Sequence, residues 1–325
     1  MLHLRLVVPR ACADVVPAFL VDDPRVTNVI VLPGASLDPP GDAVFCDVAR
    51  EGASDVLGRL RALGLNDEGT VAIQEVDASP SRQARAAEQA APGSPDDAVV
   101  WDVVVEKAYA DAVPSWSFYA FLTLATVIAG IAVVLDSSIL VVGAMVVGPE
   151  FGAVGAIATG LVLGHRALSA GGLRLLVQGF VMAMVITMLL ALLARAAGWI
   201  DADSLTAPRP LTGFIWKPDR WSFVVALLAG IAGTLSQTAG RSNALVGVFI
   251  SVTTVPAAGN LALAVALWVP AEIGGSATQL GVNLAGMVLA GIITLLVQRA
   301  VWRRVQHRTV SRRPAPANRP APGSH

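Results

Sequence analysis

Apolar residues fall into six long blocks between residues 118 and 297, whereas before residue 77 they come in short alternating runs. The blocks, residues 118–135, 139–163, 173–194, 223–239, 244–268 and 279–297, each approach the roughly 20 residues that cross a bilayer core. The short runs predict strands over 3–8, 26–32, 43–48 and 70–76, separated by turns at Pro33-Gly34 and Pro39-Pro40-Gly41. Helices are expected over 13–21 and over 54–63, where Leu57, Leu60 and Leu63 recur near helical spacing. The order βαββαβ predicts a small α+β, ferredoxin-like split βαβ domain over residues 1–76. Such domains serve as ligand sensors or dimerisation modules, and the fold alone does not choose between them.

Residues 77–116 read as a linker followed by a juxtamembrane helix. Asp77 to Asp97 is rich in Ala, Ser, Pro, Gln and Arg. Beyond it Trp101, Val104, Val105, Ala108 and Tyr109 alternate with Asp102, Glu106, Lys107 and Asp111. That amphipathic stretch suits the membrane interface or the surface of the soluble domain, and Trp116 and Tyr119 supply an aromatic anchor. Residues 117–300 form the expected six-helix membrane domain, and 301–325 a basic, Pro-rich disordered tail.

Composition agrees. The chain is 54% hydrophobic and 14% charged, where soluble domains carry about 25% charged residues. Its mean hydropathy is +0.64. The net charge of -1 averages over unlike regions and gives no support for nucleic-acid binding. The N-terminus lacks an apolar h-region, so the first domain is expected to remain in the cytoplasm. Arg299, Arg303, Arg304, Arg308, Arg312 and Arg313, with His165-Arg166 and Arg241 in turns, place both termini inside by the positive-inside rule. Cys12 and Cys46 have no CxxC spacing and read as small buried hydrophobes. His3, His165, His307 and His325 are scattered, so neither a metal site, a cofactor site nor a catalytic triad is expected.

The membrane region carries an internal repeat. Ala129-Gly130-Ile131-Ala132 followed by Ser138 and Gly143 recurs as Ala229-Gly230-Ile231-Ala232 followed by Ser242 and Gly247. Pro149 and Pro256 come next, and the third segments pair Gln178 and Thr187 with Asn283 and Thr294. Three spans per copy give opposite orientations: a 3+3 inverted repeat with broken second and fifth helices, whose breaks meet near the midplane. Proline frees backbone groups that need protein, water or ligand partners in lipid. Glu150 beside Gly148-Pro149 is the one carboxylic acid in its block, and a charge at the bilayer centre normally faces a protein interior or a water-filled cavity. It could exchange a proton, coordinate a cation, or hydrogen-bond Gln178, Gln237 or Asn260. The candidate pathway is thus Gly148, Pro149, Glu150, Gln178, Gln237, Pro256, Asn260 and Asn283; the alternative is a pair of kinked helices satisfying each other. Gly148, Gly152, Ala156, Gly160 and Gly164 form a small-residue ridge for helix packing, and self-association is plausible.

The run Ser137-Ser138 to Gly152, with Ala226 to Ser236 and Leu245 to Pro256, resembles the uncharacterised hydrophobic-domain family of prokaryotic membrane proteins, a domain of unknown function. The likeness extends over about residues 117–298 and implies a multi-pass protein of a prokaryotic plasma membrane, with no activity or binding residues attached. The leading expectation is a transporter or channel-like protein for a small solute or ion, with a cytoplasmic regulatory or assembly domain. The alternative is a non-transporting sensor or scaffold that oligomerises the soluble domain. An intramembrane enzyme ranks third, because no nucleophile, base and oxyanion group can be assembled from the spans.

Overall fold

The computed structural model describes residues 1–91, 93–94, 98–239 and 252–310. They divide into two compact units, Met1–Val100 with the chain end from Val297, and Trp101–Leu296.

In the first unit, alternation drives the sheet. Strand β1 (Leu2–Val8) buries Leu2, Leu4, Leu6 and Val8 on one face and pairs antiparallel with β3 (Pro40–Val48), which buries Val44, Cys46 and Val48. Strand β2 (Val26–Leu37) follows helix α1 (Val15–Asp22), and β4 (Thr70–Glu75) follows α2 (Arg50–Ala62). The sheet order is β2-β3-β1-β4, with every neighbouring pair antiparallel. Val16 and Leu20 of α1 and Val56, Leu57 and Leu60 of α2 complete the core; each large aliphatic side chain fully buried stabilises by about 1.5–3 kcal/mol. The Cys46 thiol is fully buried, and that burial, with Asp47 nearby, pushes its pKa up to about 12.

Two local expectations are corrected. The β2–β3 hairpin does not turn at Pro33-Gly34: β2 runs on to Leu37 through an irregularity between Leu32 and Ser36, where Gly34 takes φ +62. Glycine meets a positive φ without penalty, so the strand bends there without ending. The stretch expected to be linker contains helix α3 (Arg82–Ala90). The Ser81 hydroxyl accepts from the Ala84 N–H at 3.0 Å, and Ala84 and Ala87 are buried. Small side chains hid an apolar face that a search for large residues passes over.

Asp23 joins this unit's most enclosed ion pair. Arg25 donates from Nε at 2.9 Å and from Nη2 at 2.8 Å to the two Asp23 oxygens, and from Nη1 to Asp55 at 2.8 Å. Burial pushes the Asp23 carboxyl up, but the Arg25 hydrogen bonds and charge outweigh it and hold the group below its ordinary value of 3.8. A depressed carboxyl pKa gives stability that is complete above the unfolded value and lost as pH falls through the folded one. Thermal unfolding of this unit should therefore shift downward below about pH 4, and Asp23→Asn should flatten that acid limb; an unchanged limb would remove Asp23 from the account.

In the second unit, α4 (Trp101–Asp111) precedes α5 (Trp116–Val134). A bent pair follows, α6 (Ser138–Val147) and α7 (Glu150–Leu163), at 52° across Gly148-Pro149. Next come α8 (Arg166–Ala196), α9 (Arg220–Thr238), α10 (Thr254–Leu267) and α11 (Pro270–Val310). Among the described residues α5, α8, α9 and α11 are each long and apolar enough to cross a membrane, and the bent pair makes a fifth crossing if it counts as one span. The protein is a membrane protein, mostly helical, with a small N-terminal sheet. Of the fifth expected block, residues 244–251 lie outside the described residues, and α10 alone has only 14 residues. The last helix starts earlier and continues further than expected, so residues 301–310 are helical and not disordered tail; Trp302 and the Arg- and Gln-rich sequence around it favour helix. Residues 311–325 lie outside the described set.

Each of the two short helices packs against helices from the other half of this unit. Helix α10 packs on α5 and α8, and a methyl placed on its Gly259 would stand 2.8 Å from the Thr126 carbonyl oxygen and 2.9 Å from the Gly130 nitrogen. Helix α7 packs on α8 and α4, presses Phe151 against Gly233 of α9, and meets Gly291 of α11 with Ala158. Both short helices end on a residue in the left-handed region, Gly164 at φ 80 and Trp268 at φ 57. The small-residue ridge is covered within the chain: Gly152 by Asp111, Ala156 by Gly172, Gly160 by Ser169. Helix α4 thus lies along α7, with Ala108, Ala156 and Leu168 in one cluster.

Candidate functional site

The site builds from the break at Gly148-Pro149 and from the start of α10. Gly148 and Pro149 end α6 in extended and bridge backbone, and Glu150 starts α7. Proline cannot donate to a preceding turn, which is why the helix stops there. Glu150 is 7% exposed, its carboxylate folds back over Gly148 beside Val255, and its Oε2 has no hydrogen-bond partner. None of the three partners expected for it meets it. Gln178 is exposed and accepts from the Tyr119 hydroxyl at 3.5 Å; Gln237 lies against Gly155; Asn260 belongs to another network.

At the start of α10 Thr253 precedes the helix, and Pro256 sits in its first turn, where a missing N–H costs nothing, so the stretch Val255 to Asn260, expected to interrupt a helix, is itself helical. The Thr253 hydroxyl accepts from Gln279 Nε2 at 3.1 Å and from Asn283 Nδ2 at 3.1 Å, and Gln279 Nε2 also donates to Asn283 Oδ1 at 3.3 Å. Behind them Thr254 Oγ1 and Gln279 Oε1 are buried without a partner. Val255, in the first turn of α10, stands against Gly148 of the break.

A cavity lies at the Gly148-Pro149 break and another at the start of α10. One of about 260 Å3 is lined by Phe214, Lys217, Asp219, Trp221, Thr253 and Asn283 among others. The other, about 230 Å3, is lined by Asp111, Ser115, Phe118, Pro149 and Gly152 among others. Two larger hollows are almost wholly aliphatic and suit lipid chains rather than a polar solute.

Asn260, expected on the pathway, is fully engaged elsewhere. Its Nδ2 donates to Glu272 Oε2 at 3.0 Å and to Ser276 Oγ at 2.8 Å, while its Oδ1 accepts from Arg209 Nη1 at 3.2 Å. Arg209 and Glu272 pair directly, and both side chains are nearly inaccessible. Asp136 adds a second tie, accepting from the Thr212 hydroxyl at 2.8 Å and the Leu211 N–H at 3.1 Å. These bonds pin the 197–219 loop to the turns that enter α6 and α11.

Of the residues singled out in the sequence, the structure brings Gly148, Pro149, Glu150, Pro256 and Asn283 to these two places, together with Lys217, Thr253, Thr254 and Gln279, which the sequence reading did not single out as pathway residues. The findable signal was Gln279 and Asn283, four residues apart on one face of an apolar helix. Among the described residues no cluster of three His, Cys, Asp or Glu side chains could hold a metal ion.

Known proteins carry the same central region. Residues 145–289 match the family described as a domain of unknown function, DUF389. The match runs from the last residues of α6 through α7, α8, α9 and α10 into the first half of α11. An uncharacterized protein of Methanocaldococcus jannaschii is 27% identical over 135 residues, 42% of this chain. The chain spans 39% of the length of that relative. No solved structure matches.

Proposed function

We propose that this membrane protein carries a small solute or ion across the bilayer through the Gly148-Pro149 break and the start of α10 that faces it, as a transporter or channel-like protein built on a 3+3 inverted repeat. The observation that carries the proposal is Glu150: a buried carboxylate with a free oxygen, at a break that abuts the start of α10, with a cavity beside each. A dry structural kink would satisfy its polar groups internally.

The repeat has its own support. Helix starts stand a constant 104 positions apart, Trp116 with Arg220, Glu150 with Thr254, and Arg166 with Pro270, a register that puts Thr253, not Pro256, opposite Pro149 and replaces the pairings of Ala129 with Ala229, Gln178 with Asn283 and Thr187 with Thr294. The left-handed caps Gly164 and Trp268 keep the same spacing, as do the side-chain caps Ser115 and Asp219. So do the cavities: Val113, Ser115, Ser117, Phe118, Phe121 and Pro149 line one where Lys217, Asp219, Trp221, Ser222, Val225 and Thr253 line the other. Orientation follows from length. The halves of the bent pair are about 15 Å and about 21 Å long at 1.5 Å per residue. Joined at 52°, they reach about 32 Å end to end, close to the roughly 30 Å hydrocarbon thickness. That length supports counting the bent pair as one crossing, and three crossings per copy would set the copies in opposite orientations with their cavities open to opposite sides.

The strand order β2-β3-β1-β4 with all-antiparallel neighbours supports a ferredoxin-like first domain, which would regulate or assemble the membrane part from the cytoplasm.

Two measurements test this. In a variant lacking Cys12 and Cys46, Ser115→Cys and Ser222→Cys should react with a membrane-impermeant maleimide from opposite faces of sealed vesicles; labelling from one face alone would end the inverted repeat. In proteoliposomes, a panel of ions and small solutes should include one whose uptake depends on the protein and falls at least about tenfold in Glu150→Gln, as losing a group that contributes about 1.4 kcal/mol or more predicts. Uptake equal in wild type and variant would remove Glu150 from the pathway.

A further inference from the structure

The repeat-related cavities differ in charge at the same place. At the α7 end the protein supplies its own anion: the Asp111 carboxylate lies against Gly152, in the first turn of α7, and lines the cavity. At the α10 end the position equivalent to Asp111 is Ile215, the position equivalent to Glu150 is Thr254, and the position equivalent to Val113 is Lys217. The positive end of α10 therefore meets no carboxylate of its own first turn and has a lysine at the cavity wall.

The groups there are built to donate. In the first turn of α10 the N–H groups of Thr254 and Val255 have no intrahelical acceptor, and Thr253 makes no side-chain cap because its hydroxyl is taken by Gln279 and Asn283. Asp219, the acid on the wall, has one oxygen turned to the helix it caps: Oδ1 accepts from the Ser222 N–H at 2.7 Å and hydroxyl at 2.8 Å in a capping box. Two unpaired polar atoms belong to residues next to that lining: the Thr254 hydroxyl, 0% exposed, follows Thr253 in the chain, and Gln279, 1% exposed, donates to the lining residues Thr253 and Asn283 and leaves its Oε1 without a partner. Gln279 Oε1 can only accept, so it calls for a ligand that also donates one hydrogen bond.

Resting on the transport reading above, we propose that the cavity at the N-terminal end of α10 binds a small oxyanion that still carries a proton, of the type of hydrogencarbonate or hydrogen phosphate, between Lys217, Asn283 and the first turn of α10. The anion takes the role that Asp111 plays in the other repeat. Chloride and nitrate satisfy the donors but leave Gln279 Oε1 unpaired, and bind more weakly for that reason.

Equilibrium dialysis on the full-length protein in detergent, with labelled hydrogencarbonate and labelled inorganic phosphate at neutral pH, tests the site without requiring flux. At least one should bind with an affinity tenfold or more above that for chloride or nitrate. Lys217→Met should weaken it at least tenfold and Lys217→Arg should restore most of it; Lys217 is an exposed loop residue, so both variants remain foldable. No saturable binding of either oxyanion, equal binding of chloride, or affinity unchanged in Lys217→Met each overturns the proposal. Oxyanion binding without any protein-dependent uptake would sustain the site and sink transport, whereas uptake of another solute with no oxyanion binding would do the reverse.

Discussion

Replacing Glu272 with alanine is expected to destabilise the membrane unit by about 3–5 kcal/mol, the usual cost of leaving one partner of a buried ion pair behind. Arg209 would be stranded with its side chain 5% exposed, keeping only the Asn260 carbonyl as an acceptor, and Asn260 would lose one of its two acceptors. The pair need not be a net source of stability, since its desolvation offsets its attraction. The double variant Arg209→Met, Glu272→Leu should accordingly recover most of the loss. Thermal unfolding of the purified full chain across this double-mutant cycle checks both statements; a Glu272→Ala loss under about 1 kcal/mol would mean that water reaches the pair.

Gly259→Ala is the second large effect, expected to cost about 2–3 kcal/mol despite alanine's better helix propensity. Its new methyl would meet backbone atoms of α5, the Thr126 carbonyl and the Gly130 nitrogen, which cannot swing aside. Gly155 holds the equivalent position in α7, but there the obstacle is the amide end of Gln237, a flexible side chain. Gly155→Ala should therefore stay within about 1 kcal/mol of the wild type. Equal midpoints for the two variants would contradict the backbone contact at α10.

Sequence patterning revealed most of the architecture and less of the chemistry. The alternation of Leu2, Leu4, Leu6 and Val8 marks a strand with one buried face, and the apolar blocks mark the membrane helices, because burial and lipid exposure both select side chains by periodicity. The hairpin turn was misplaced because Pro33-Gly34 is the usual punctuation of a turn and serves here as a bend inside β2. Helix ends were misjudged in α8 and α11 because polar residues such as Arg166 and Glu272 are admitted where the helix leaves the hydrocarbon or finds a partner. Glu150 stood out as a lone acid in an apolar block. Lys217 did not, because a loop lysine has no period and its significance depends on which helix end the loop approaches. Asn260 looked like Asn283 in sequence, and only the position of Arg209, 51 residues away, separates the saturated amide from the one lining a cavity.

The interlocking of α10 with α5 and α8 has a consequence for how the protein is made. While residues 116–196 are already synthesised and inserted, the close-packed face around Thr126, Ala129 and Gly130 has no helix to receive it until α10 emerges more than a hundred residues later. The first half must wait in the membrane with a groove filled by lipid or by the insertion machinery, and its assembly ends with the expulsion of that temporary occupant by a helix too short to have crossed the bilayer on its own.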